Sequence, residues 1–214
     1  MRPIETYITY PSSDGKPMSE STEQFDLIVY TKLGLEHLFA EYADVLVVGD
    51  LLWYPRQGMP QIRRAADVMV VFGRPKGPRK SYLQWQEGDV APQVVFEFIS
   101  AGNNAEEMLN KFVFYENYGV EEYYTYDPAT NVLEVWLRQG KSLSAVAETE
   151  GWVSPRLRVR FSTKGGRFRL SEADHGDRPF QTFVEAKQEL AREQERAELL
   201  AQKLRELGID PDTL

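Results

Sequence analysis

The chain has 214 residues, a hydrophobic fraction of 42%, an aromatic fraction of 12% and no cysteine. That is enough apolar material for one sizeable core plus an appendage, and it excludes disulfides, thiolate zinc sites and cysteine nucleophiles. The formal net charge of -8 gives no overall basic surface for phosphates, although a local basic patch can act within an acidic whole.

The N-terminal Met1-Arg2-Pro3-Ile4-Glu5-Thr6 is too polar for a secretory leader, and no apolar run approaches the roughly 20 residues of a membrane span. A cytoplasmic protein without membrane association is therefore expected. A short Ile/Tyr-rich segment, Tyr7 to Tyr10, precedes a turn at Pro11-Ser12-Ser13-Asp14-Gly15. Ser19 or Ser21 is placed to cap a helix, and Phe25, Ile28, Val29, Leu35 and Leu38 recur near helical spacing to about Tyr42. Val45-Leu46-Val47-Val48 and Leu51-Leu52-Trp53-Tyr54 flank Gly49-Asp50 and read as a hairpin. Strands are expected within Gln61 to Phe72 and over Gln93 to Ile99, with an irregular basic loop from Gly73 to Lys80 between them. A helix from about Asn104 to Tyr118 is stopped by Gly119, and strands over Glu122 to Tyr126 and Asn131 to Arg138 are joined by a turn at Asp127-Pro128-Ala129-Thr130. The order predicts an α/β domain whose central mixed sheet is flanked by helices, one of them crossing over between two central strands.

After Thr182 the chain becomes a charged helix in which Leu190, Ala197 and Leu204 recur every seven residues, as do Leu200 and Leu207. This is the pattern of a short coiled coil, and a homodimer is expected from it; a solvated helix folding back on its own domain is the alternative. The expected division is a domain over residues 1–181 and a helical, coiled-coil-like extension over 182–214.

Two charges lie inside the most strand-like stretches. Asp67 interrupts Ala66 to Phe72, and Glu97 sits within Val95-Phe96-Glu97-Phe98-Ile99. A buried carboxylate is costly unless paired or metal-bound, and two on neighbouring strands can hold a hard divalent cation through oxygen ligands. One such acid alone is more simply a strand-end charge facing solvent or an arginine. The following helix adds Lys111, with Glu107 one turn before it on the same face and Tyr115 and Tyr118 extending that side. A surface ion pair worth roughly 0.3–0.5 kcal/mol is the plain account of Glu107 and Lys111; a lysine aimed at a phosphate is the sharper one.

The run from Ala66-Asp67-Val68 through Val95-Phe96-Glu97-Phe98-Ile99-Ser100 and Lys111 to Gly119-Val120-Glu121-Glu122-Tyr123-Tyr124 and Asp127-Pro128 resembles the Uma-two family of restriction-endonuclease-like proteins. That family lies within the PD-(D/E)XK nuclease superfamily. The resemblance covers roughly residues 61 to 128 and implies a magnesium- or manganese-dependent endonuclease acting on DNA. It implies catalytic roles for Asp67, Glu97 and Lys111, with the metal on Asp67 and Glu97. Ala66 replaces the proline of the first motif, and Ile99 stands where the superfamily's usual lysine would follow the second acid; Lys111 on the helix holds the matching position. Glu107 matches a supporting acid, and the first helix often supplies a further carboxylate, for which Glu23 is the candidate with Glu20 and Glu36 as rivals.

Two basic stretches are candidates for contacting nucleic acid: the loop with Arg74, Lys76, Arg79 and Lys80, and the run Arg156, Arg158 and Arg160, whose alternation would place all three on one strand face. Tyr82 and Trp85 are candidate stacking surfaces beside the first. His37 and His175 are isolated and are assigned no role. Two other readings compete with the nuclease: a catalytically inactive nuclease fold serving as a binding or assembly module, and a hydrolase using Asp67 and Glu97 as an acid/base pair across an open cleft.

Overall fold

A computed structural model describes residues 8–13, 15, 19–208 and 210. The polar N-terminus up to Tyr7 and Asp14 of the first turn lie outside the described residues. The chain divides into two compact units, Met1–Phe180 and Gln181–Leu214.

In the first unit, helix α1 (Thr22–Leu38) begins where the Ser21 side chain accepts the Gln24 backbone N–H. Its buried stripe, Gln24, Ile28, Thr31 and Leu35, follows the three-and-four spacing of one helix face. Strand β1 (Val45–Tyr54) runs unbroken through the expected hairpin turn. Its partner is β2 (Arg64–Phe72), antiparallel, with Gly49 opposite Val68 and Leu51 opposite Ala66. The hairpin reading fails because Gly49-Asp50 keeps the register: Asp50 adopts φ 47° and the strand continues past it. A Cβ at residue 49 would lie 3.2 Å from the Asp67 carbonyl oxygen, so glycine suits this close approach.

Strand β3 (Tyr82–Leu83) lies parallel to the end of β1, and β4 (Val94–Phe98) lies antiparallel to β2. Helix α2 (Ala105–Asn117) then crosses over to β5 (Glu122–Asp127), which is parallel to β4. Antiparallel β6 (Val132–Gln139) and β7 (Ser142–Ala145) complete a seven-stranded mixed sheet in the order β3-β1-β2-β4-β5-β6-β7. A second, three-stranded sheet comprises β8 (Val159–Ser162), β9 (Arg169–Glu172) and β10 (Arg178–Pro179).

Strand alternation sorts the core into two layers. Phe96 and Phe98 join Ile28 and Leu35 of α1 and Phe161 and Leu170 of the small sheet in one layer. Val95 packs with Met69, Trp53 and Tyr123 against Phe114 and Tyr115 of α2 in the other. Glu97 therefore points toward α2, and the crossover helix is pressed over the two strands that carry the carboxylates.

The second unit is α3 (Phe183–Glu206), opened by a capping box in which Thr182 and Glu185 satisfy each other's backbone N–H groups. None of its residues is buried. Among the described residues no helix is long and apolar enough to cross a membrane.

Candidate active site

Val68 pairs with Phe96 across β2 and β4, so Asp67 and Glu97 stand opposite each other on adjacent strands. Both are buried, at 9% and 2% exposure. Asp67 Oδ2 accepts the Phe98 backbone N–H at 2.6 Å and is approached by Gln24 Nε2 at 3.4 Å. The Gln24 amide also donates to the Phe98 carbonyl at 2.9 Å, while its Oε1 accepts the Glu20 N–H. Gln24 thus ties the start of α1 to the end of β4.

From α2, Lys111 Nζ reaches Glu97 Oε2 at 2.8 Å, and the Tyr115 hydroxyl, one turn on, donates to Glu97 Oε1 at 2.5 Å. Asn104 starts this helix by accepting the Glu107 N–H, which places Glu107 and Lys111 on the flank facing the carboxylates. Asp67, Lys111 and Glu107 line one open cleft of about 690 Å3.

The electrostatics are unbalanced. Burial, and then the charge of Glu97, push the Asp67 carboxyl up to about 7 against the pull of the Phe98 N–H, Lys111 and Gln24. Burial acts to lower the pKa of Lys111, but Glu97, Asp67 and Glu107 together outweigh it and hold the ammonium above its ordinary range. Two carboxylates thus share one cation. Among the described residues no three His, Asp or Glu side chains gather into a metal cluster, so a closed site of the structural-zinc kind is absent from them. An under-compensated carboxylate at an open cleft, Asp67, with Glu97 buried beside it, does match magnesium or manganese, which take one or two carboxylates and leave their other positions to water and substrate oxygens.

The family model Uma2, described as "Putative restriction endonuclease", matches residues 16–162. The chain belongs to the Uma2 family. Five solved chains match in structure, among them one described as "a putative nuclease belonging to DUF820" from Anabaena variabilis. That similarity has a TM-score of 0.52 at 13% identity and covers 72% of this chain and 87% of the other, which shows a shared nuclease-type fold. No curated protein matches the chain.

Within this Uma2 fold, several expected residues lie elsewhere. Glu23 is exposed and outside the cleft, because the helical stripe headed by Gln24 is the one turned inward. Glu20 does line the cleft, its carboxylate meeting the Ser100 hydroxyl at 2.5 Å. Arg158 has φ 56° and precedes β8, so Arg156, Arg158 and Arg160 do not form one strand face. Each meets an acid: Arg156 with Glu121 at 2.6 Å, Arg158 with Asp174 at 2.7 Å and Arg160 with Asp177 at 2.6 Å.

The basic loop is similarly occupied. Lys76 Nζ donates to the Phe39 and Ala40 carbonyls just past α1, at 2.6 and 2.7 Å, where a cation satisfies helix-end acceptors. Arg79 pairs with Glu87 at 2.7 Å, Arg74 donates to the Gly73 carbonyl, and Lys80 is exposed. Tyr82 is fully buried with its hydroxyl on the Val90 carbonyl, which removes it as a stacking surface; Trp85 packs against Tyr10.

Sequence reasoning missed Gln24, Arg63 and Arg64, all of which line the cleft. Gln24 was detectable as the polar head of an otherwise inward-facing stripe. The arginine pair sits three and four residues before Asp67 and was overshadowed by the longer basic runs.

Proposed function

We propose that the protein is a metal-dependent endonuclease that hydrolyses DNA phosphodiester bonds, with Asp67 and Glu97 holding magnesium or manganese and Lys111 acting on the phosphoryl group. The observation that carries this reading is the pair of buried, opposed carboxylates sharing one lysine beside an open cleft that Asp67 and Lys111 line, in a chain of a nuclease family. When bound, the cation would supply Lewis-acid stabilisation of phosphoryl charge and a lowered pKa for attacking water.

The chain's own residues account for the rest. Glu97 is oriented by Lys111 and Tyr115, and Asp67 by Phe98 and Gln24, so both carboxylates are fixed before substrate arrives. Lys111 is held protonated by its acidic neighbours, which suits it to stabilise negative charge developing on phosphate oxygens and unsuits it as a general base. Glu107 and Glu20, at the cleft wall, extend the polar lining that keeps water in reach.

Incubation of supercoiled plasmid with the purified protein should give nicked product in magnesium or manganese and none in EDTA, and Glu97→Gln should abolish nicking. Well-folded wild type that leaves plasmid, linear duplex, single-stranded DNA and RNA intact in both metals would instead support the inactive binding module.

We further propose that α3 pairs two copies of the chain. Leu190 and Leu200 are 51% and 54% exposed, and the charged remainder of the helix gives that seam no partner among the described residues of its own unit. Light scattering of the full-length protein should give twice 24.6 kDa, and Leu190→Glu with Leu200→Glu should halve it. A wild-type mass of 24.6 kDa at micromolar concentration rejects the pairing.

A further inference from the structure

Most of the cations that sequence alone makes conspicuous are consumed. Arg79, Arg156, Arg158 and Arg160 are each paired with a carboxylate, and Lys76 is spent on helix-end carbonyls. Arg63 and Arg64 differ. Both are partly buried in the wall of the cleft that holds Asp67 and Lys111, and neither has a carboxylate partner among the described residues. Among the described residues they hydrogen-bond to backbone oxygens, Arg63 to the Pro60 carbonyl at 3.0 Å and Arg64 to the Arg63 carbonyl at 2.8 Å.

Their orientation is nevertheless set. The Arg63 guanidinium lies 6.0 Å from the Tyr54 ring centroid and that of Arg64 lies 5.5 Å from the centroid of Phe114 on α2. A guanidinium placed against a ring keeps its edge donors available while losing little further freedom on binding. Half-buried cations without a counter-ion are costly to keep, and five N–H donors in a fixed fork match phosphate oxygens. The cleft also carries Glu20, Asp50, Glu106 and Glu107, so its net charge does not attract a polyanion. The arginine pair, not the overall field, decides where a phosphodiester chain would lie.

Resting on the nuclease reading above, we infer that Arg63 and Arg64 are the phosphate-binding residues of this site, gripping the backbone of a DNA strand to one side of the position engaged by Lys111. Arg64 is three residues from Asp67 on β2, or about 10 Å at the strand rise. That exceeds the spacing between neighbouring phosphates of one strand. The contact therefore falls on phosphates flanking the scissile one, and it reads no base sequence.

The test is fluorescence anisotropy of a labelled DNA oligonucleotide with the full-length protein in calcium chloride, across a salt series, beside plasmid nicking in magnesium. Arg63→Gln with Arg64→Gln should weaken binding at least tenfold and flatten the plot of log affinity against log salt by about 1.5, since each lost phosphate contact removes about 0.7–0.9. Arg64→Lys should recover much of that slope, and Lys80→Gln with Arg158→Gln should leave binding unchanged. A merely structural loss would lower the melting temperature without changing the slope. If wild type nicks plasmid and binds DNA but the arginine variant keeps the wild-type slope, the inference is overturned while the nuclease reading stands. If wild type neither binds nor cleaves, both fall.

Discussion

Lys111→Ala is expected to lose on the order of 10²–10³-fold in phosphodiester cleavage and to unfold more readily, with the two effects separable. The ammonium is the charged partner of Glu97, a carboxylate 2% exposed and otherwise held by the Tyr115 hydroxyl. Removing one member of a buried pair strands the other and costs roughly 3–5 kcal/mol, whereas removing both together costs much less. The double variant Lys111→Ala with Glu97→Gln should therefore regain most of the stability lost by Lys111→Ala. It should regain none of the cleavage, because nothing in it supplies the positive charge or the second carboxylate. Thermal melting and plasmid nicking on the four members of this cycle decide the matter. A double variant as unstable as the single would mean that Glu97 and Lys111 are not energetically coupled. Near-normal cleavage by Lys111→Ala would remove the lysine from the chemistry.

The parts of this arrangement that were legible in sequence are those where one residue violates its local pattern. Asp67 and Glu97 are charges inside apolar strands, and that violation is local enough to see without knowing which strands pair. The expected mixed sheet with a crossover helix is what the structure shows, because β4, α2 and β5 are each strongly periodic and bounded by a clear cap or stop, Asn104 and Gly119 among them. What misled was turn chemistry read without its partner strand. Gly49-Asp50 has the composition of a hairpin loop, but β2 offers a continuous antiparallel partner along the whole of β1, and pairing through the site outweighs the local preference for reversal.

Charge was the least legible quantity. The acids that occupy Arg156, Arg158 and Arg160 lie 35, 16 and 17 residues away in sequence, so a run that looks like an unopposed basic face is neutralised only once the chain is folded. Conversely Arg63 and Arg64 are an unremarkable dipeptide until β2 carries them into the cleft. The error at Glu23 is of another kind, one residue of helical phase: 100° of rotation separates an exposed acid from Gln24, and only the inward stripe continuing through Ile28, Thr31 and Leu35 determines which is which.

The strain at Asp67 leads to an effect opposite in sign to most active-site substitutions: Asp67→Asn should abolish cleavage while stabilising the metal-free protein above neutral pH. Asp67 is pushed from an ordinary 3.8 to about 7 by burial and by Glu97. Between those values the folded chain holds a proton that the unfolded chain has released, so in EDTA the wild type loses stability as pH rises through this window and levels off above it. Below pH 3.8 Asp67 is neutral in the folded and the unfolded chain alike, and the two proteins should melt together there. At pH 8 it is charged, and the asparagine variant should be more stable by about 2–4 kcal/mol, or roughly 5–10 °C in melting temperature for a domain of this size. Magnesium should then raise the wild-type melting temperature at pH 8 and leave the variant where it is, since a cation that binds only the folded site recovers what the bare carboxylate costs. Parallel melting curves from pH 5 to 8 would show that Asp67 carries no such strain. A gap that opens with pH but ignores magnesium would leave the strain in place and take Asp67 out of the metal site. The combination of a gap that opens with pH and closes with metal is the one that identifies a carboxylate kept in an unfavourable place for the sake of a cation.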